Sequence, residues 1–165
     1  MKFRTITTVA TAFAATMLIA AGALASTTRD TATIAFTGRY AGTAVTKITD
    51  SVVAISATGT GKGTIIGAGK LTGAGTGDSS QQPCVPFGGT GKLTGVAATT
   101  ILFRVVSTSK GCGDEEGQMF SLSGKAVVVK ATGKLAKAKG TLKFTGLYNR
   151  GAGTFSVKFT GSLVK

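Results

Sequence analysis

The chain has 165 residues, with 19 Lys and Arg against 6 Asp and Glu, a formal net charge of +13, 25 Gly, 2 Cys, and neither His nor Trp. Without His, a Ser-His-Asp or Cys-His nucleophile system and His-ligated zinc are excluded. Two cysteines alone do not make a metal centre, and we assign no catalytic residue, metal or cofactor from the sequence.

Lys2 and Arg4 precede a mostly apolar run, Ile6 to Leu24, and Ala23-Leu24-Ala25 matches the small-x-small pattern of signal-peptide cleavage. Residues 1–25 are therefore expected to be a secretory signal peptide with Ser26 as the new N-terminus. The run is short and threonine-diluted for a span of ~20 residues, which argues against an uncleaved anchor. No Cys stands at the cleavage point for a lipid anchor. The expected location is outside the cell or in the cell envelope, with no integral membrane segment after cleavage. Residues 26–31 read as a flexible leader, and 32–165 as one β-domain.

Strands are expected at Thr33 to Tyr40, with Ile34 and Phe36 in phase, at Gly42 to Ile48 and at Ser51 to Thr58. Gly59 to Gly77 is low in complexity, and its glycines suit strands that bend or approach another backbone closely. It lacks the Walker spacing, and no helical pattern follows, so it is not a phosphate loop. Asp78 to Gly91 carries Pro83, Cys84 and Pro86 and reads as a long loop. Val96 to Ser107 is the clearest central strand, with Ile101, Phe103 and Val105 on one face. Thr108 to Gly117 reads as a second loop with Cys112 and Asp114-Glu115-Glu116. Gln118 to Thr132 is a long strand or a bent pair broken at Ser123-Gly124.

The last third organises the rest. In Gly140 to Tyr148, Leu142, Phe144, Gly146 and Tyr148 share a face; in Thr154 to Val164, Phe155, Val157 and Phe159 do. That period of two marks half-buried strands, and Asn149 to Gly153 between them has the composition of a hairpin turn. The phrase Gly-Lys-Leu begins at Gly69, Gly91 and Gly133 at spacings too irregular for a solenoid, and reads as similar strand openings within one sheet. The fold class expected is all-β: a single antiparallel β-barrel of about eight strands, with a β-sandwich as the alternative. Closure is preferred because the last strand would otherwise be an exposed edge.

Cys84 and Cys112 are expected to be joined, as export to an oxidising compartment allows. Closing the loop between them would stabilise the fold by roughly 3–4 kcal/mol on the chain-entropy account. One strand crossing between the cysteines would hold them ~20 Å or more apart at the strand rise, beyond the ~7 Å limit between Cα atoms. A bridge therefore requires Phe87 to Gly95 to supply a second crossing, or the loop to fold back along the sheet. It would also put Asp78 on one rim with Asp114, Glu115 and Glu116, the best candidate for a loop-borne binding site. Catalysis by facing carboxylates there, or a weak cation site, ranks below an ordinary acidic turn.

From Gly124 onward there is no acidic residue, while Lys125, Lys130, Lys134, Lys137, Lys139, Lys143, Arg150 and Lys158 accumulate. This face reads first as a solvated surface and second as a site for a polyanion such as a cell-wall polymer or acidic glycan. Nucleic acid is disfavoured for want of stacking aromatics.

The segment ATGKLAKAKGTLKFTGLYNRGAGTFSVKFTGSL, Ala131 to Leu163, resembles exported bacterial proteins of unknown function in which G-x-[FL]-x-x-A-x-G opens two Gly/Thr-rich strands. It is also similar to the G-x-F-x-G-A-x-G phrase of the allene oxide cyclase and dirigent barrels. The resemblance implies an eight-stranded antiparallel barrel with an apolar interior. Leu135 stands where the aromatic usually sits, and none of that family's functional residues matches a position here. Three functional classes follow: a secreted non-catalytic β-domain that binds or builds structure, a barrel for a small apolar ligand with isomerase-like chemistry, and a polyanion binder.

Overall fold

The computed structural model describes residues 32–165. Inward and outward side chains alternate through most of this segment, and a strand that alternates apolar with polar residues must bury one face. Eight strands do so together: β1 (Thr33–Thr49), β2 (Val52–Gly63), β3 (Gly67–Asp78), β4 (Cys84–Thr94), β5 (Thr100–Gly113), β6 (Met119–Ala131), β7 (Lys139–Asn149) and β8 (Thr154–Val164). Each pairs antiparallel with the next, and β8 returns to β1 to close a barrel. The all-β expectation holds, and the barrel is realised rather than the sandwich. The expected signal peptide and leader lie outside the described residues.

The inner face carries Phe36, Tyr40, Leu71, Leu93, Ile101, Phe103, Leu142, Phe144, Phe155, Phe159 and Leu163, all buried. Most outward positions carry Lys, Arg, Thr, Ser or Ala, with Val45, Leu102 and Leu147 as exposed exceptions. This polarity is opposite to that of a membrane-spanning barrel, whose apolar band faces outward. No described helix is long and apolar enough to cross a membrane.

The terminal hairpin forms as its alternation predicts, with Phe144 opposite Phe159 and Tyr148 opposite Phe155. Elsewhere four boundaries differ from expectation. Thr33–Thr49 is one strand, not two, because inward alternation continues through Gly42, which pairs with Gly59 where β1 and β2 approach closely. The expected long loop at Asp78 to Gly91 shrinks to residues 79–83, and Cys84 and Pro86 lie within β4. Pro86 is tolerated beside a register shift between Phe87 and Gly89, the kind of irregularity that spares a ladder hydrogen bond. The expected loop at Thr108 to Gly117 is strand as far as Gly113, and β5 begins only at Thr100, after a turn at Val96 to Thr99. For Gln118 to Thr132 the long strand is realised rather than the bent pair: β6 runs unbroken through Ser123-Gly124, where a Cβ on Gly124 would collide with Ser109, a buried residue at the irregular stretch of β5.

The repeated Gly-Lys-Leu phrase does not open strands. Two copies lie within β3 and β4, where Leu71 and Leu93 face each other inside the barrel. The third forms the 3-10 turn Gly133–Leu135, which drives the fully buried Leu135 into the base.

Candidate functional site

Four turns cluster at one end of the barrel: β1–β2, β3–β4, β5–β6 and β7–β8. The Cys84–Cys112 disulfide lies there, between residues that are direct partners on β4 and β5 with Cα atoms 3.9 Å apart. β4 supplies the second crossing that the bridge required. The cysteines thus pin two neighbouring strands at the rim rather than two long loops.

The turns are also tied to one another. The Ser79 amide and hydroxyl both donate to the Ser51 carbonyl, at 2.7 and 3.0 Å. The Gly113 amide donates to the Pro83 carbonyl at 2.8 Å, the Arg150 amide to the Gln118 carbonyl at 2.8 Å, and the Ala44 amide to the Gly153 carbonyl at 2.8 Å. Each bond crosses from one connection to a neighbouring element, so this end is a laced ring.

The predicted acidic rim is here. Asp78 ends β3, Asp114, Glu115 and Glu116 form the β5–β6 turn, and Asp50 occupies the β1–β2 turn. Every carboxylate side chain among the described residues therefore lies at this end. Asp78 accepts hydrogen bonds from the Ser80 hydroxyl at 2.7 Å and the Ser80 amide at 3.0 Å, which hold its carboxyl below the usual range. Asp114 accepts from the Gln118 and Met119 amides at 2.8 and 3.2 Å. Both carboxylates are engaged in shaping their own turns.

Beneath the ring lies an apolar chamber of ≈ 170 Å³, whose lining residues the sequence alone did not single out. One side is walled by Leu122, Phe144, Tyr148, Phe155, Val157 and Phe159; the other is floored by Gly73, Gly75, Gly89 and Gly91 of β3 and β4. The glycines explain the space. In a small barrel, inward side chains ordinarily fill the interior, and here four inward positions on two adjacent strands, between Leu71 and Phe87, carry no side chain. Gly91 cannot be enlarged, because a Cβ would strike the Phe103 ring, and a Cβ on Gly75 would strike the Gly88 carbonyl. Phe159 contacts Tyr40, Phe103 and Phe144 at ring-centroid distances of 6.2, 5.5 and 6.0 Å, which fixes the aromatic wall.

Below the chamber the base is sealed by Leu93, Ile101, Leu135, Leu142 and Leu163, all fully buried. Above it, a second cavity of ≈ 90 Å³ shares Ile55, Phe87, Leu122 and Tyr148 with the chamber and reaches the exposed Gln82 and Arg150 of the ring. The interior thus grades from hydrocarbon at the base to polar at the mouth. At the junction the Tyr148 and Thr46 hydroxyls lie 3.3 Å apart. Among the described residues, Tyr148 is the only titratable side chain lining the chamber.

The predicted basic face divides into three. Lys125, Lys143 and Lys158 project from the outer wall of β6, β7 and β8. Lys130, Lys134, Lys137 and Lys139 gather around the β6–β7 connection at the base. Arg150 alone sits at the acidic mouth. No family model, curated protein or solved structure matches this chain, so what the barrel holds is to be inferred from its own residues.

Proposed function

We propose that the protein is a non-catalytic binding protein of the cell exterior that holds one small apolar ligand inside the barrel, admitted through the ring that carries the disulfide. The observation that carries this reading is the ≈ 170 Å³ chamber, lined almost wholly by carbon and opening toward a single polar mouth. An apolar cavity of about 150 Å³ stays dry and accepts a benzene-sized guest. A concave, carbon-lined space under a mouth already laced by hydrogen bonds is what a preformed ligand site requires.

Binding is favoured over isomerase-like chemistry by the same lining. Proton transfer needs an acid and a base placed on the substrate, and Tyr148 supplies one group where two are needed. The cysteine pair and the N-terminal segment support an exported protein. The test is displacement of an environment-sensitive apolar dye from the purified, oxidised protein by small cyclic and aromatic hydrocarbons. Saturable one-to-one displacement is expected; dye binding unchanged by any of them would overturn the proposal.

A further inference from the structure

We infer that the outer wall over β2, β1, β8, β7 and β6 is a docking surface for an acidic polysaccharide, distinct from the lumen and independent of what the lumen holds. The register brings together cations far apart in sequence. Arg39 lies directly opposite Lys62 on one side and Lys158 on the other, giving three cations in one line across three strands. Lys158 is paired with Thr145, so Lys143, two residues along β7, is its diagonal neighbour, and Lys143 faces Lys125 directly. Five cations thus form a continuous belt. Directly opposed residues lie about 4.5–5.5 Å apart at Cβ and diagonal ones about 7–8 Å.

The belt has no internal relief. Like charges directly opposite are destabilising, and the described carboxylate side chains are confined to the barrel mouth. A surface needing only solubility would scatter its lysines among the many outward threonines. Lining them up in register repays its cost when a linear anion of repeating charge lies across them.

Two further features point to sugar. Shallow depressions run beside the belt and meet at Thr60; Arg39 and Lys158 border one, and Lys62 and Lys70 the other. The row of the first is floored by Thr60, Ala41 and Ser156, which are in-register neighbours. The Thr60 and Ser156 hydroxyls beside the row of cations can hydrogen-bond sugar hydroxyls while the cations meet carboxylates or sulfates, and the exposed Leu147, next in register after Ser156, offers an apolar contact to a sugar ring. Meanwhile every Phe and Tyr among the described residues is buried or half-buried, and the exposed large hydrophobics of the outer wall are aliphatic. A single-stranded nucleic acid would find nothing to stack on.

The experiment compares two triple variants of the full mature protein on a heparin column and by titration with heparin and polygalacturonate. Arg39→Gln, Lys62→Gln and Lys158→Gln remove the centre of the belt; Lys130→Gln, Lys134→Gln and Lys139→Gln remove the same charge at the base. Counterion release makes affinity fall with salt in proportion to the cations engaged, so the belt variant should weaken about tenfold or more at moderate salt and show a flatter salt dependence, with the base variant near wild type. Thermal melts report folding, and relief of repulsion should leave the belt variant at least as stable as wild type. Equal losses in both variants would reduce the effect to net charge and overturn the inference. So would single-stranded DNA binding as tightly as the polysaccharides, or neutral dextran competing with them.

Discussion

Gly73 and Gly91 face each other in register on β3 and β4, and both open onto the chamber. They differ in what stands in front of them. A Cβ on Gly91 would collide with the Phe103 ring, so that glycine is a steric requirement. A Cβ on Gly73 would meet only the Thr90 carbonyl oxygen at 3.4 Å and the Gly91 Cα at 3.9 Å, ordinary contacts. One glycine lets an aromatic ring pack; the other only keeps a space clear.

Gly73→Leu should therefore fill the chamber from its floor without disturbing the wall. Burying the new side chain is expected to stabilise the domain by about 1.5–3 kcal/mol, less any cost of fitting a branched group into the space. Dye binding should be lost in the same variant. Denaturant midpoints and dye titration on one preparation check both halves. A variant that is more stable yet still binds would place the ligand outside the chamber.

The disulfide should matter most locally. β4 and β5 lose register between Phe87 and Gly89, and β5 and β6 between Val105 and Lys110, so the rim ends of these strands are joined to the barrel through disrupted ladders. The Cys84–Cys112 bond closes that end. Replacing both cysteines by serine should cost roughly 3–4 kcal/mol on the loop-entropy account, measured by urea unfolding. Amide hydrogen exchange should speed up first at 84–87 and 109–113. Uniform acceleration across all eight strands would instead mean that the bond acts on the unfolded chain alone. Thiol titration of the unreduced protein should find no free thiol.

How far the sequence disclosed this arrangement depended on which residues face inward. β7 and β8 were legible because Leu142, Phe144, Phe155 and Phe159 mark the inner face at every second position. β2, β3 and β4 were harder, because their inner positions are largely glycine and hydrophobic alternation disappears where the inward residue has no side chain. A period of two survives in Gly59-Thr60-Gly61-Lys62-Gly63 and Gly73-Ala74-Gly75-Thr76-Gly77, with glycine in the apolar phase. Pro83, Cys84 and Pro86 carried loop composition into what is mostly a strand. The acidic rim could be foreseen, since it follows from the cysteine pairing. An apolar interior was implied by the resemblance alone; where it stays unfilled could not be foreseen, because an unfilled volume is a difference between what opposite walls contribute. Arg39 and Lys62 also escaped notice, since only the register sets them beside Lys158.

Tyr148 offers a way to learn what kind of ligand enters. Its ring lines both cavities, and its hydroxyl meets that of Thr46 at 3.3 Å where the apolar chamber gives way to the mouth. Tyr148→Phe removes the hydroxyl and little of the shape. Affinity for a pure hydrocarbon probe should stay nearly constant. Affinity for a matched probe with a hydroxyl or carbonyl should fall about two- to tenfold, the worth of one net hydrogen bond. Calorimetric titration of the two probes checks the difference, and equal effects on both would leave Tyr148 a purely steric element.

Tyr40 lies deeper and makes a separate prediction. It is 2% exposed, packs edge-on against Phe159, and its hydroxyl has no hydrogen-bond partner among the described residues. Burial pushes its pKa up from the ordinary 10.0, since the interior disfavours phenolate. With the folded pKa above the unfolded one, the folded state holds the proton more tightly. The resulting stability is fully present below pH 10 and is lost as pH rises through the folded pKa. Tyr40→Phe removes both the unpartnered hydroxyl and the titration. At neutral pH the variant should be unchanged or more stable by up to about 1–3 kcal/mol, the cost of an unsatisfied buried polar group. Above pH 10 its advantage over wild type should widen. Urea midpoints of both proteins between pH 7 and 11 check this, and curves that stay parallel across that range would mean the Tyr40 proton is not linked to folding.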